Sequence, residues 1–208
     1  RVKDAFAMDG QRVRGMKLLT FTTLYPDSTR PHHGIFVETR LRHLVATGRV
    51  QSLVLAPVPW FPWDHRIFGE YATYARVPRA EERQGMRVLH PRYPLIPRFG
   101  MTLSTYALAT VARAVTRRII AGGYDFDIID AHYFYPDGVA AAMLAKSVGK
   151  PVVITARGTD LNLISRYRLP RKMIQWAAHQ ATGIITVCQA LKDTLIGLGV
   201  PDGKITVL

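Results

Sequence analysis

FDIIDAHYFYPDGVAAAMLAKSVGKPVVIT, residues 126–155, is the stretch on which the fold turns. Phe126 to Ala131 is a short apolar run of strand length. Pro136 heads an alanine-rich segment that Gly149 closes, which is the proline-first, glycine-last pattern of a helix. Pro151 to Thr155 is a second apolar run. Both runs are mostly apolar rather than strictly alternating with polar residues, as strands buried on both faces of a parallel sheet tend to be.

The same alternation extends in both directions. Upstream, Lys17 to Thr22 predicts a strand, and a loop with Pro26, Asp27, Pro31 and Gly34 follows it. Ile35, Phe36, Leu41, Leu44 and Val45 then recur near helical spacing, and Gly48 occupies the position expected just past a helix end. Val50 to Val58 is the next apolar run, completing a strand–helix–strand unit. Residues 59–100 are the least regular: prolines crowd them, Met86 to His90 predicts a strand, and the remainder predicts a long covering loop. Phe99 to Gly122 predicts a helix that ends basic, with Arg113, Arg117 and Arg118. Downstream, a helix over 168–180, a strand over Gly183 to Val187, a helix over Gln189 to Leu198 and a strand from Ile205 are expected. The fold class is therefore α/β: a doubly wound, mostly parallel, Rossmann-like sheet, with a ligand site at the carboxyl ends of its strands.

Composition narrows the function. With 208 residues, 48% of them hydrophobic and 21% charged, the chain is ordinary globular protein. Its single cysteine, Cys188, excludes an intramolecular disulfide framework and a cysteine-rich metal site, and fits a reducing compartment. The apolar stretch from Met101 to Val115 is interrupted by Arg113 and is shorter than the roughly 20 residues that span a bilayer. Residues 1–15 lack the apolar core of a signal peptide and are expected to be an extension or a remnant of expression, with the domain running over 16–208. The formal net charge of +13 favours an anionic partner surface.

The strand-end rule selects four places. In TLYPDSTRPHHG the dinucleotide fingerprint is missing, but Gly34 stands just before a helix, where N–H groups and the helix dipole could receive a phosphate; a plain turn glycine explains it equally. His132 lies directly beyond a strand, placed to bond a hydroxyl or shuttle a proton, while Asp130 and Asp137 suit turn or cap hydrogen bonds. Arg157 could pair with an anion beside Gly158, and Asp160 reads as the N-cap of a following turn. Cys188 is expected to be a small buried residue at a strand-to-helix turn, since Thr194 stands where a phosphatase loop would need arginine. Arg166 and Arg168, with Arg171 and Lys172, form either a solvated helix entrance or a docking surface for an anionic lipid or acceptor. The aromatic stretch Trp60 to Trp63 could stack on a sugar, touch a membrane or cover the sheet edge.

Three segments carry a family resemblance: YPDSTRPHHGIFVETRLRHL, DAHYFYPDGVAAAMLAKSVGKPVVITARGTDLNL and ATGIITVCQALKDTLIGLGVPDGKITVL. In this order they resemble the N-terminal domain of a retaining GT-B glycosyltransferase of the GT4 type, over about Met16 to Leu208. The resemblance implies transfer of a sugar from a nucleotide-sugar donor to a glycan or glycolipid acceptor with retained configuration. It implies an acceptor-holding first domain and a second domain, beyond Leu208, that holds the nucleotide and an acidic Glu-x7-Glu motif. By this resemblance His132 contacts the transferred sugar and Gly34 approaches the donor diphosphate, although the first loop has one glycine where many members have a pair. Arg157, Arg166 and Arg168 are the acceptor- or anion-binding candidates. No metal and no cofactor are expected, because basic side chains and helix dipoles stabilise the leaving diphosphate. The isolated chain is expected to be inactive, and the full enzyme cytoplasmic and peripheral at the inner membrane face. The competing reading is a non-catalytic basic Rossmann-like module for anionic membrane or nucleic acid, but no zinc-ligand spacing, RNP motif or helix-turn-helix supports a nucleic-acid partner.

Overall fold

The computed structural model describes residues 15–61, 63, 65, 67, 69–94 and 100–208. In chain order, β1 (Met16–Phe21), α1 (Ile35–Ala46) and β2 (Val50–Leu55) form the first crossover unit. A minor strand β3 (Val58–Pro59), helix α2 (Glu70–Arg76), the hairpin β4 (Ala80–Arg83) and β5 (Met86–Leu89), and a minor strand β6 (Arg92–Tyr93) follow. Helix α3 (Gly100–Ala121) crosses back to β7 (Ile128–His132), α4 (Val139–Val148) and β8 (Val152–Ala156). The chain ends with α5 (Thr159–Asn162), α6 (Arg168–Gln180), β9 (Gly183–Thr186), α7 (Gln189–Gly197) and β10 (Ile205–Val207).

Eight strands make one sheet in the order β10-β9-β8-β7-β1-β2-β5-β4, and β3 pairs with β6 apart from it. Every pairing in the large sheet is parallel except that of edge strand β4 with β5. From β1 the chain moves one way, to β2 and β5. From β7 it moves the other way, to β8, β9 and β10. The order therefore reverses between the neighbours β1 and β7, and the loops after these two strands diverge to leave a crevice.

The apolar side chains of the strands feed two cores. Leu18, Val54 and Val88 pack with Val37 and Leu41 of α1 on one face. Leu19, Phe21, Leu55 and Ile154 pack with residues of α3, α4 and α6 on the other. Helix α4 is buried along Val139–Ala142 and at Leu144 and Ala145 because it lies among α3, α6 and the sheet. Its alanines let these layers approach closely.

Two expectations are corrected here. The segment 59–100 carries more structure than one strand in a loop: α2, the β4–β5 hairpin and β6 all lie within it. The hairpin turns on Gln84 and Gly85, both with positive φ (50° and 73°), which is the two-residue turn whose twist matches the strands. Its short, charged AEER strand escapes a search for apolar runs. Pro136 does not open α4: a wide turn over Phe134–Gly138, with Tyr135 extended, precedes a helix that begins at Val139. Residues 1–14, where the N-terminal extension is expected, lie outside the described residues.

Candidate active site at the crevice between β1 and β7

The crevice gathers side chains from three loops and one helix. Helix α1 begins directly after Gly34, whose φ of 69° is left-handed. A Cβ there would lie 2.2 Å from the carbonyl oxygen of Leu24, so the loop closes on itself only with glycine at this position. Asp27, fully buried, pins the loop by accepting from the N–H groups of Thr29 and Arg30 at 2.9 Å and by pairing with the Arg30 guanidinium at 2.6 Å. His33 closes it further through Nε2, 3.1 Å from the Thr23 carbonyl.

From that start, Phe36 and Arg40 project from one side of α1, four residues apart. Arg40 Nη1 donates to Asp130 Oδ2 at 2.9 Å, and the Arg157 guanidinium stacks 4.8 Å from the Phe36 ring centre. His132 sits between them with no exposed surface. Its Nδ1 lies 2.9 Å from Arg157 Nη2, and its Nε2 lies 3.1 Å from Asp130 Oδ2. Guanidinium can only donate, so Nδ1 accepts and the ring hydrogen sits on Nε2, directed at Asp130. Arg40 Nη1, 3.3 Å from Nε2, then faces a second donor; the two groups share the Asp130 carboxylate rather than bond each other. Burial pushes the Asp130 carboxyl upward, but His132 and Arg40 outweigh it and hold the group at about 2.

Two further buried carboxylates tie the loops together. Asp160 Oδ2 accepts the Phe134 N–H at 2.6 Å, its Oδ1 accepts the Gly158 N–H at 2.7 Å, and the Arg157 N–H lies 3.2 Å from both oxygens. Asp160 thus lies within α5 and clamps the turns after β7 and β8, while Gly158 occupies the N-cap position expected for it. Asp137 Oδ2 accepts the Thr23 N–H at 2.6 Å and the Thr22 hydroxyl at 3.1 Å, joining the turn after β7 to the end of β1. Burial, reinforced by the Asp160 charge and only partly offset by the threonine donors, pushes its carboxyl up to about 7. Tyr133, between His132 and these turns, holds a φ of 77°, a costly conformation for a side-chain-bearing residue.

Beside the first loop, Thr29, Arg30, His33, Thr73 and Tyr74 line a hollow of about 360 Å³. Arg30 stacks 4.9 Å from the Tyr74 ring centre, and Tyr74, Tyr71 and Phe61 continue an aromatic chain toward exposed Trp60 and Trp63.

The structure therefore brings His132 and Arg157 into contact and places both against the helix that Gly34 starts. It does not bring Arg166 or Arg168 to them. Those two are exposed at the α5–α6 corner, where Arg166 Nε donates to the Asn162 carbonyl at 3.0 Å. Cys188 is exposed at the head of α7, not buried, because the turn after β9 carries it outward. The residue reading missed Phe36 and Arg40, and it gave Asp130 a turn role where the structure gives it an ion pair. The helical spacing Phe36–Arg40 just after Gly34 was the available signal.

The model for Glycosyltransferase Family 4 matches residues 62–208. The chain belongs to glycosyltransferase family 4. TuaC of Bacillus subtilis (strain 168), assigned as a glycosyltransferase of teichuronic acid biosynthesis, is 30% identical to this family 4 domain over 182 residues, 86% of the chain and 46% of TuaC. The domain thus spans less than half of that relative. Its fold recurs in the UDP-GlcNAc 2-epimerase of Methanocaldococcus jannaschii (TM-score 0.57, 12% identity, 92% of this chain and 45% of that one). It recurs also in UGT89C1 of Arabidopsis thaliana, crystallised with UDP (TM-score 0.53, 10% identity, 93% and 51%). Among the described residues, no helix is long and apolar enough to cross a membrane.

Proposed function

We propose that this domain is the acceptor-side half of a retaining glycosyltransferase that moves a sugar from a nucleotide-sugar donor to a glycan or glycolipid acceptor. The observation that carries the reading is the convergence of His132, Arg157 and the start of α1 at the reversal between β1 and β7, where a doubly wound sheet binds ligands. The opposing domain, outside this chain, holds the nucleotide; UDP in UGT89C1 is consistent with that class of donor. The donor diphosphate approaches the N-terminus of α1 beside Gly34, where the helix dipole favours an anion. Arg157 is the first cation it meets. Drawing that guanidinium away from His132 frees Nδ1 to accept a hydroxyl of the transferred sugar, while Asp130 keeps the ring in its Nε2–H form. The acceptor enters through the polar and aromatic hollow beside Arg30 and Tyr74.

In this reading leaving-group charge is balanced by basic side chains and the helix start, with no metal. The α5–α6 corner, where exposed Leu163, Tyr167 and Leu169 alternate with Arg166 and Arg168, rests on an anionic membrane at its cytoplasmic face, supplying the glycolipid acceptor. The test is the full-length enzyme with His132→Ala: turnover is lost while the circular dichroism spectrum stays native. An unchanged rate would remove His132 from the chemistry.

A further inference from the structure

Among the described residues, the hairpin end of the sheet leaves one face open beside α3, away from the crevice. On β4 and β5 the pairs Ala80–Leu89 and Glu82–Arg87 stand opposite each other and share that face. On α3, Val111, Val115 and Ile119 recur every four residues as a half-buried apolar stripe next to the buried stripe of Leu108, Ala112 and Thr116. Between helix and hairpin run two adjoining hollows that share Leu89, Val115 and Arg118. One, about 310 Å³, has Leu53, Leu89, Val115 and Ile119 in its wall and Arg87 at its rim. The other, about 350 Å³, is walled by Val111 and Val115 and brings Arg79, Arg92 and Arg118 together.

Charge on this groove is one-sided. Arg79, Arg87 and Arg118 are exposed, and none is in an ion pair among the described residues. Arg92 spends Nη2 on the carbonyls of Ala75 and Val77 and leaves buried Nη1 without a partner. Burial, and then the Arg79 charge, lower the Arg92 pKa, and the Asp27 charge offsets them only in part. The carboxylate on this face of the hairpin is Glu82, opposite Arg87; Glu81 points to the other face and pairs with His90. The N-terminal stretch 1–15, with four basic side chains against two acidic ones, has the wrong sign to cover the groove.

We infer that this groove binds a hydrocarbon chain with a phosphate head, the phosphate among Arg79, Arg92 and Arg118 and the chain along Val115, Leu89 and Leu53. An apolar trough bordered by unpaired guanidinium groups matches both halves of such a molecule: phosphate takes forked donors, and the alkyl chain covers the half-buried stripe. The site is independent of the sugar-transfer reading.

Calorimetric titration of the 208-residue chain with octyl and dodecyl phosphate, each below its aggregation concentration, tests it. Each buried methylene contributes about fourfold in affinity, so dodecyl phosphate should bind saturably and at least tenfold tighter than octyl phosphate. Inorganic phosphate should not bind over the same range. The exposed-residue double variant Arg79→Glu/Arg118→Glu, with a native circular dichroism spectrum, should weaken dodecyl phosphate at least tenfold, and Val115→Glu should abolish the chain-length dependence. The inference is overturned if dodecyl phosphate shows no saturable binding, if the double variant binds it as wild type does, or if inorganic phosphate binds as tightly as octyl phosphate.

Discussion

Gly34→Ala isolates the close approach that shapes the first loop. Two costs add at this position. The left-handed φ of 69° penalises any L side chain by about 1–2 kcal/mol. The new methyl would also stand 2.2 Å from the Leu24 oxygen and 2.9 Å from the Tyr25 nitrogen, both backbone atoms that cannot turn aside as a side chain does. Relieving such an overlap by shifting the loop costs about 1–3 kcal/mol. Part of the sum is offset because alanine restricts the unfolded chain, by about 0.4–1 kcal/mol, leaving a net loss of about 2–4 kcal/mol. Gly48→Ala is the matched control. Its φ is 71°, but nothing lies within 4 Å of the added carbon, so only the conformational cost remains, about 1 kcal/mol after the same offset. Urea denaturation of the two variants and the wild-type chain measures both losses. A domain of this size shifts its Tm by about 2–4 °C per kcal/mol, so thermal melts should separate Gly34→Ala from Gly48→Ala by several degrees. Equal losses in the two variants would refute the proposed contact between Gly34 and the Leu24 backbone.

Asp137 should make stability fall with rising pH. Its folded pKa of about 7 lies above the unfolded value of roughly 3.9, so the folded state holds the extra proton and the contribution is lost as pH rises from about 4 to about 7. Urea midpoints should therefore drop between pH 5 and pH 8, by the equivalent of about 2 kcal/mol, and Asp137→Asn should flatten that dependence; an equal slope in the variant would discount the carboxyl. Asp130, held at about 2, acts oppositely, and its contribution should disappear as pH falls from about 4 toward 2. Asp160→Ala strands the buried N–H group of Phe134 and the half-buried one of Gly158 and should cost about 2–3 kcal/mol, a claim that a loss under 1 kcal/mol in denaturant would contradict. Nitrogen-15 NMR of the imidazole should find the His132 hydrogen on Nε2 in the wild type. A ring protonated on Nδ1 would break the Arg157–His132–Asp130 arrangement.

The fold was legible because its information is local. Continuous apolar strands between helices, bounded by Gly48, Gly149 and Gly199, specify a parallel sheet covered on both faces, and such a sheet locates its own binding edge. On that edge His132, Gly34 and Arg157 could be found by position. The β4 strand was not legible, because AEER buries little apolar surface and is held by pairing with β5 across a turn whose geometry, rather than its composition, marks it. Nor could the sequence by itself say that Phe36 and Arg40 turn toward His132. Their partners, Arg157 and Asp130, stand 90 or more residues away, and only the side-by-side placement of β1, β7 and β8 brings them together. Asp160 and Asp137 show the same division. A residue that caps a turn and one that clamps two distant turns have the same short side chain, and the difference is decided by which backbone N–H groups the packed sheet brings within 3 Å.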